Sequence, residues 1–215
     1  LGENDERDLF PAMLRLVEQC NPKAILIENV SGLLDPRFDY YRKRIERRIA
    51  SLEYVVMGWK KLNASDFGVP QLRPRVAFVA LKKEFSSYFC WPRPNHEDAP
   101  TVGEVLLEEM AANGWEKTLE WSKRANKIAP TLVGGSKKHG GPDLGPTRAK
   151  KAWRELYVDG SGVANTPPEP GFEGMPKLTV KMAALLQGFP YEWTFCGKKT
   201  ASYRQVGNAF PPPVA

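Results

Sequence analysis

Apolar and polar positions fall into two textures along this chain. From Arg7 to Cys20, Leu9, Met13, Leu16 and Val17 recur at helical spacing, with Asp8 in the first turn. That pattern predicts an amphipathic helix ended by Asn21-Pro22. Ala24-Ile25-Leu26-Ile27 is a continuous apolar run after a helix, as expected of a buried parallel strand covered on both faces. It runs into Glu28-Asn29-Val30. Phe38 to Leu52 predicts a second helix, basic outside, with Tyr41, Ile45 and Ile49 marking its inner face. Tyr54 to Trp59 and Arg75 to Leu81 predict further strands, joined through the polar stretch Asn63 to Pro74. Helix, strand, helix, strand is the rhythm of an open α/β sheet.

The second texture starts near Phe85. Pro92, Pro94, Pro100, Gly134, Gly135, Gly140, Gly141, Pro142, Gly145 and Pro146 interrupt every period. Thr101 to Met110 predicts a short helix, and the stretch between Trp115 and Trp121 has no assignable element. Regularity returns at Thr179 to Leu186, a helix with Gly188 at its C-terminal end. The expected layout is a partial α/β domain at 1–85, an irregular region at 86–175 and a return segment at 176–215.

Composition narrows the class. The chain has 215 residues, 42% of them hydrophobic and 26% charged, enough for a substantial core without covalent staples. No apolar run approaches the roughly 20 residues of a membrane span, so no membrane partner is expected. The polar start, Leu1 to Arg7, does not read as a signal peptide, and the missing initiator Met points to a trimmed or excerpted chain. Cys20, Cys90 and Cys196 are scattered and form no CxxC pair, which argues against a metal site and suits a reducing cytoplasm.

Charge is unevenly placed. The net charge is +6, yet nine basic residues and only Asp143 and Glu155 lie between Ser122 and Val158. That segment carries all the excess, and such a focus attracts polyanions, nucleic acid first among them. A solvated basic face is the alternative.

Four places carry candidate chemistry. Glu28 ends a strand, where open α/β sheets bind ligands; partial desolvation there would favour its protonated form and suit a general acid. Capping the next element or pairing with an arginine is the bland reading. Gln71, Arg73 and Arg75 open a strand at alternate positions, so they are expected on one side, and two guanidiniums there suit phosphate or carboxylate. An ordinary surface pair is the other reading. Val133 to Gly141 is Gly-rich and basic but has neither Walker nor GxGxxG spacing; it suits flexible DNA-contacting backbone. His139 within it is expected to face solvent or phosphate, and the six tryptophans are expected mainly in cores. Last, Gln205 to Pro213 places a turn at Gly207-Asn208 before three prolines, a rigid backbone that can line a small-ligand pocket.

Taken in order, these pieces resemble the second half of the DNA cytosine-5 methyltransferase family. Glu28-Asn29-Val30 looks like its ENV motif, and Gln71, Arg73 and Arg75 match its QxRxR motif. Leu178 to Pro190 looks like its ninth motif, and Tyr203-Arg204-Gln205-Val206-Gly207-Asn208-Ala209 like its tenth. The resemblance implies part of a Rossmann-like methyltransferase sheet plus a loop-rich target-recognition domain at 86–175. It implies S-adenosylmethionine as cofactor, double-stranded DNA as partner and a flipped cytosine as target. By resemblance Glu28 binds the cytosine edge and Arg75 holds the base and positions Glu28. Asn208 and Ala209 border the methyl donor. Arg73 contacts backbone phosphate, and the insertion's Lys137, Lys138 and Arg148 bind DNA. A bacterial cytoplasmic, nucleoid-associated protein of a restriction-modification system is expected.

The chain departs from the family pattern at two motifs. The FxGxG loop is absent, and none of the three cysteines follows a proline, so the Pro-Cys nucleophile is absent too. The expectation is therefore the C-terminal part of such an enzyme, either an excerpt or one subunit of a split protein, inactive without its N-terminal half. A non-catalytic, sequence-specific DNA-binding relic is the alternative.

Overall fold

The computed structural model describes residues 8–95, 99–134 and 141–215. Lys137, Lys138 and His139 lie outside the described residues. The chain divides into two compact units, Leu1–Leu62 with Pro74–Arg93, and Asn63–Arg73 with Pro94–Ala215.

The first unit contains α1 (Phe10–Cys20), β1 (Ala24–Val30), α2 (Asp39–Ala50), β2 (Tyr54–Asn63), β3 (Pro74–Lys82) and α3 (Lys83–Ser86). Its sheet order is β1-β3-β2, with β3 central and Val76 to Ala80 all buried. The parallel expectation for β1 is corrected here. β1 pairs antiparallel with β3, Ala24 opposite Leu81 and Val30 opposite Arg75. Nor is it covered on both faces, since Ile25 is buried while Leu26 is 57% exposed. An apolar run reports burial somewhere along it and carries no information about a neighbour's direction.

Helix α2 buries Tyr41, Ile45 and Ile49, as its period requires, against Val17, Ile25, Tyr54 and Phe78. Helix α1 starts at Phe10, later than expected, with Pro11 in its first turn. Leu9 and Leu16 are exposed, while Phe10, Met13 and Leu14 pack on the core beside buried Val17. Asn21 ends the helix in the left-handed region, as a small polar residue can.

The second unit contains α4 (Val102–Ala111), α5 (Thr118–Arg124), α6 (Thr147–Glu155), α7 (Val180–Leu186) and α8 (Lys199–Asn208). The Thr101 hydroxyl accepts from Glu104 N while the Glu104 carboxylate accepts from Thr101 N, a reciprocal cap that fixes the start of α4. Thr179 caps α7 by accepting from Met182 N. Helix α5 occupies the stretch that had no assignable period. Trp121 and Trp153 are fully buried with Leu106, Leu132, Leu178 and Val206. Gly207-Asn208, expected as a turn, is the last step of α8.

Helices α4 and α5 cross closely at Gly103. A Cβ there would sit 2.1 Å from the Ser122 carbonyl oxygen, which is rigid main chain. Alanine normally favours a helix interior over glycine by about 0.5–1 kcal/mol, but this overlap outweighs that gain. Gly103→Ala is expected to destabilise the chain by about 1–3 kcal/mol, measured as a lower urea midpoint. Gly32→Ala, with nothing within 4 Å of its added Cβ, should stay within about 0.5 kcal/mol. Equal stability of the two variants would refute the close crossing.

Candidate functional site

In the first unit the antiparallel register builds the acid site. Val30 lies opposite Arg75, so Glu28 and Arg75 are diagonal neighbours within side-chain reach. Arg75 Nε lies 2.7 Å from Glu28 Oε1, with both side chains half-buried. Arg75 also donates from Nη1 to the Pro74 carbonyl. Glu28 and Asn29 line a cavity of about 800 Å³ with Phe10, Met13, Phe38 and Tyr41. Tyr41 is tied down by donating to Asp8 Oδ2 at 2.5 Å. The cavity thus sets Glu28, with Asp8 and Arg37 also on its lining, against apolar walls, which suits a flat, partly polar ring.

In the second unit Gln71 and Arg73, two residues apart, both turn inward. Arg73 is 1% exposed. Its Nη1 donates to Leu132 O at 2.6 Å, and its Nη2 to Gly207 O at 2.8 Å and Ala209 O at 2.9 Å. Gln71 donates to Leu186 O and to Gln187 Oε1, and accepts from Leu132 N. Gln187 donates to Val206 O and Ala209 O. The expected phosphate contact of Arg73 does not fit this burial. A guanidinium enclosed by carbonyls is a structural tie between residue 132 and the end of α8.

That tie sits beside a main-chain contact. A Cβ on Gly207 would lie 2.5 Å from Gly134 N and Cα, and one on Gly134 would lie 2.5 Å from Asn208 Oδ1. Gly207 is required because its neighbour is main chain, whereas a side chain on Gly134 would have to displace the Asn208 amide. Asn208 is exposed at the end of α8, and Ala209 is half-buried. Arg148 is exposed on α6. Gly134 falls in the Gly-rich stretch read as DNA-contacting backbone and Gln187 in the ninth-motif segment, but neither was assigned the bracing role it has here.

Tyr203 stands inside this core. Its hydroxyl is buried with no hydrogen-bond partner among the described residues. Burial pushes the phenol well above its ordinary value near 10, with Asp143 adding to the rise and Arg73 opposing it.

The model of the C-5 cytosine-specific DNA methylase family matches residues 1–215. The chain belongs to that family. It is 57% identical over 218 residues to the type II methyltransferase M.NaeI of Lentzea aerocolonigenes, covering all of this chain and 52% of that protein. It is 50% identical over 218 residues to M.NgoMIV of Neisseria gonorrhoeae, covering 69% of that protein. The chain therefore spans about half of the first relative and about two thirds of the second. Among solved structures, a putative DNA modification methyltransferase encoded within an E. coli prophage superposes with a TM-score of 0.56 at 22% identity, over 94% of this chain and 69% of that one. A mutant of Spodoptera frugiperda DNMT2 gives 0.58 at 15% identity, over 100% and 71%. At these identities the likeness concerns the fold, and the α/β class with a Rossmann-like methyltransferase relationship stands.

Two outcomes follow from the buried core. Arg73→Ala leaves the Leu132 and Gly207 carbonyls without their donor, and each unsatisfied group costs about 1–3 kcal/mol. Denaturant unfolding should show a loss of at least about 2 kcal/mol, with Arg73→Lys intermediate because ammonium lacks the fork. Wild-type stability in Arg73→Ala would refute the tie. For Tyr203 the folded phenol ionises later than the unfolded one. Its contribution is therefore complete below the unfolded value and lost as pH rises above it, by up to about 1.4 kcal/mol per pH unit. Tyr203→Phe should remove that alkaline decline while leaving stability at neutral pH nearly unchanged, read from urea midpoints at pH 7 to 11. An unaltered alkaline slope would count against a buried phenol.

Proposed function

We propose that this chain is the C-terminal part of a bacterial DNA cytosine-5 methyltransferase of a restriction-modification system. It would act on a flipped cytosine in a specific duplex sequence, in the cytoplasm at the nucleoid. The observation that carries this reading is the Glu28–Arg75 pair, set at a cavity in a chain of that family. The region 86–175 is read as the target-recognition part.

The chemistry follows from hydrogen-bond inventory. The N3 atom of cytosine is an acceptor, so a carboxyl group binding it must donate. Arg75 pairs with Glu28 at Oε1, and a proton shared between the carboxyl group and N3 would complete the contact. A hydrogen bond to N3 draws electrons from the ring and favours nucleophilic addition at C6. Arg75 keeps the carboxyl oriented and offers its remaining donors to the base.

S-adenosylmethionine would supply an electrophilic methyl group. Asn208 and Ala209 fit a border of that cofactor: the Asn208 amide is exposed and has no partner among the described residues, so its donor and acceptor are both available. The Ala209 carbonyl is already taken by Arg73 and Gln187, so Ala209 can offer only its methyl group and amide backbone. Cys20, Cys90 and Cys196 are all exposed, and none follows a proline. The nucleophile is therefore assigned to the part of the relatives that this chain does not span.

The complete natural gene product should transfer labelled methyl groups to cytosine in duplex DNA, and the 215-residue chain alone should not. Glu28→Gln in the complete protein is expected to lower the rate by about 10²–10⁴-fold with DNA binding retained. A wild-type rate in Glu28→Gln would overturn the assignment.

A further inference from the structure

Helix α6 offers a surface that its own unit does not use. One side is anchored, with Trp153 fully buried and Leu156, just past the end, 2% exposed. The start is fixed as well. Gly145, at φ +112°, lies against Val133 and Ala149, so the first turn of α6 stands beside the segment that ends at Gly134 and meets Asn208. At 100° per residue the side opposite Trp153 presents Arg148, Lys151 and Glu155, flanked by Thr147 and Arg154, and all five are exposed.

The three cations have no ion-pair or hydrogen-bond partner among the described residues. Basic residues nearby do: Lys150 lies 2.7 Å from Asp143, and Arg124 lies 2.6 Å from Glu120. Like charges three apart on a helix repel by a few tenths of a kcal/mol per pair. With Glu155 on the same side, this anchored helix presents three cations against one carboxylate, an excess of positive charge that suits an external polyanion. A helix about 10–12 Å across also matches the roughly 12 Å major groove of duplex DNA.

We propose that α6 docks in the major groove of the target duplex. Arg148 and Lys151 read base edges, and Arg154 holds phosphate. Arg148 is on the first turn, nearest Val133 and Gly134, and its planar fork suits bidentate contact with guanine. The inference rests on the methyltransferase reading above and names the element that discriminates the target.

The test uses the complete natural gene product and measures dissociation constants for the methylated sequence and for duplexes changed at one base pair, across a salt series. Arg148→Ala is expected to lower the ratio of specific to changed-site affinity by about 10- to 100-fold. Lys151→Ala should lower it too. Arg148→Lys should lose most of the ratio while keeping the salt slope, because it retains the charge without the fork. Lys150→Ala removes a charge off the row and should leave the ratio unchanged. Unaltered ratios in Arg148→Ala and Lys151→Ala would overturn the proposal. An equal loss for both kinds of duplex with a shallower salt slope would overturn base reading as well. Absence of methyl transfer and of discrimination in the wild type would instead sink the function on which the proposal rests.

Discussion

A guanidinium cannot be buried without partners, and Arg73 is buried at 1% exposure. Leaving such a charge unpaired in a protein interior costs several kcal/mol, so its donors must be met. Its two terminal nitrogens are met by main-chain carbonyls of Leu132, Gly207 and Ala209. Two of these belong to the end of α8, where a helix leaves its last carbonyls unsatisfied and its dipole is negative. One side chain therefore solves two problems: it satisfies the end of α8 and places a cation where the helix field favours one. Gln71 and Gln187 close the rest of the circuit through amide groups that donate and accept at once.

The same circuit explains the close approach at Gly134 and Gly207. Arg73 holds Leu132 and Gly207 by their carbonyls, so the two backbones are drawn together; a Cβ on Gly207 would strike main chain, and one on Gly134 would strike the Asn208 amide. Asn208, one step beyond, is thereby held at a defined place while its amide stays exposed. The Glu28–Arg75 pair has the opposite character. It is half-buried and opens on a cavity. Burial makes the first arrangement rigid, and partial exposure leaves the second able to exchange a partner. That division of labour suits a scaffold and a reacting group.

Much of the α/β part was legible because its signals are local. The inner face of α2 follows directly from Tyr41, Ile45 and Ile49, and Thr179 and Gly188 bracket α7. The direction of β1 was not legible, since an apolar tetrapeptide reads the same beside a parallel or an antiparallel neighbour. Helix α8 was missed because its buried residues, Ser202, Tyr203, Val206 and Gly207, form no apolar stripe. The inward turn of Arg73 was invisible for a different reason. Its acceptors lie 59, 134 and 136 residues away and are carbonyls, which every residue has. Sequence could mark Arg73 as unusual but could not distinguish a phosphate ligand from an internal tie.

Counting charge has a similar blind spot. Nine basic residues between Ser122 and Val158 look like one patch in the sequence, but the fold sorts them. Arg124 is paired with Glu120 and stacked on Tyr157, and Lys150 is paired with Asp143. These cations are partly neutralised and add little to an external field. Arg148, Lys151 and Arg154 share one side of a helix pinned by Trp153, with Glu155 offsetting one of the three charges. A long-range field depends on the sum, but a contact surface depends on which charges are unpaired and held in a fixed row. The burial of Trp153, an apolar event, is thus what turns a diffuse basic composition into a directed one.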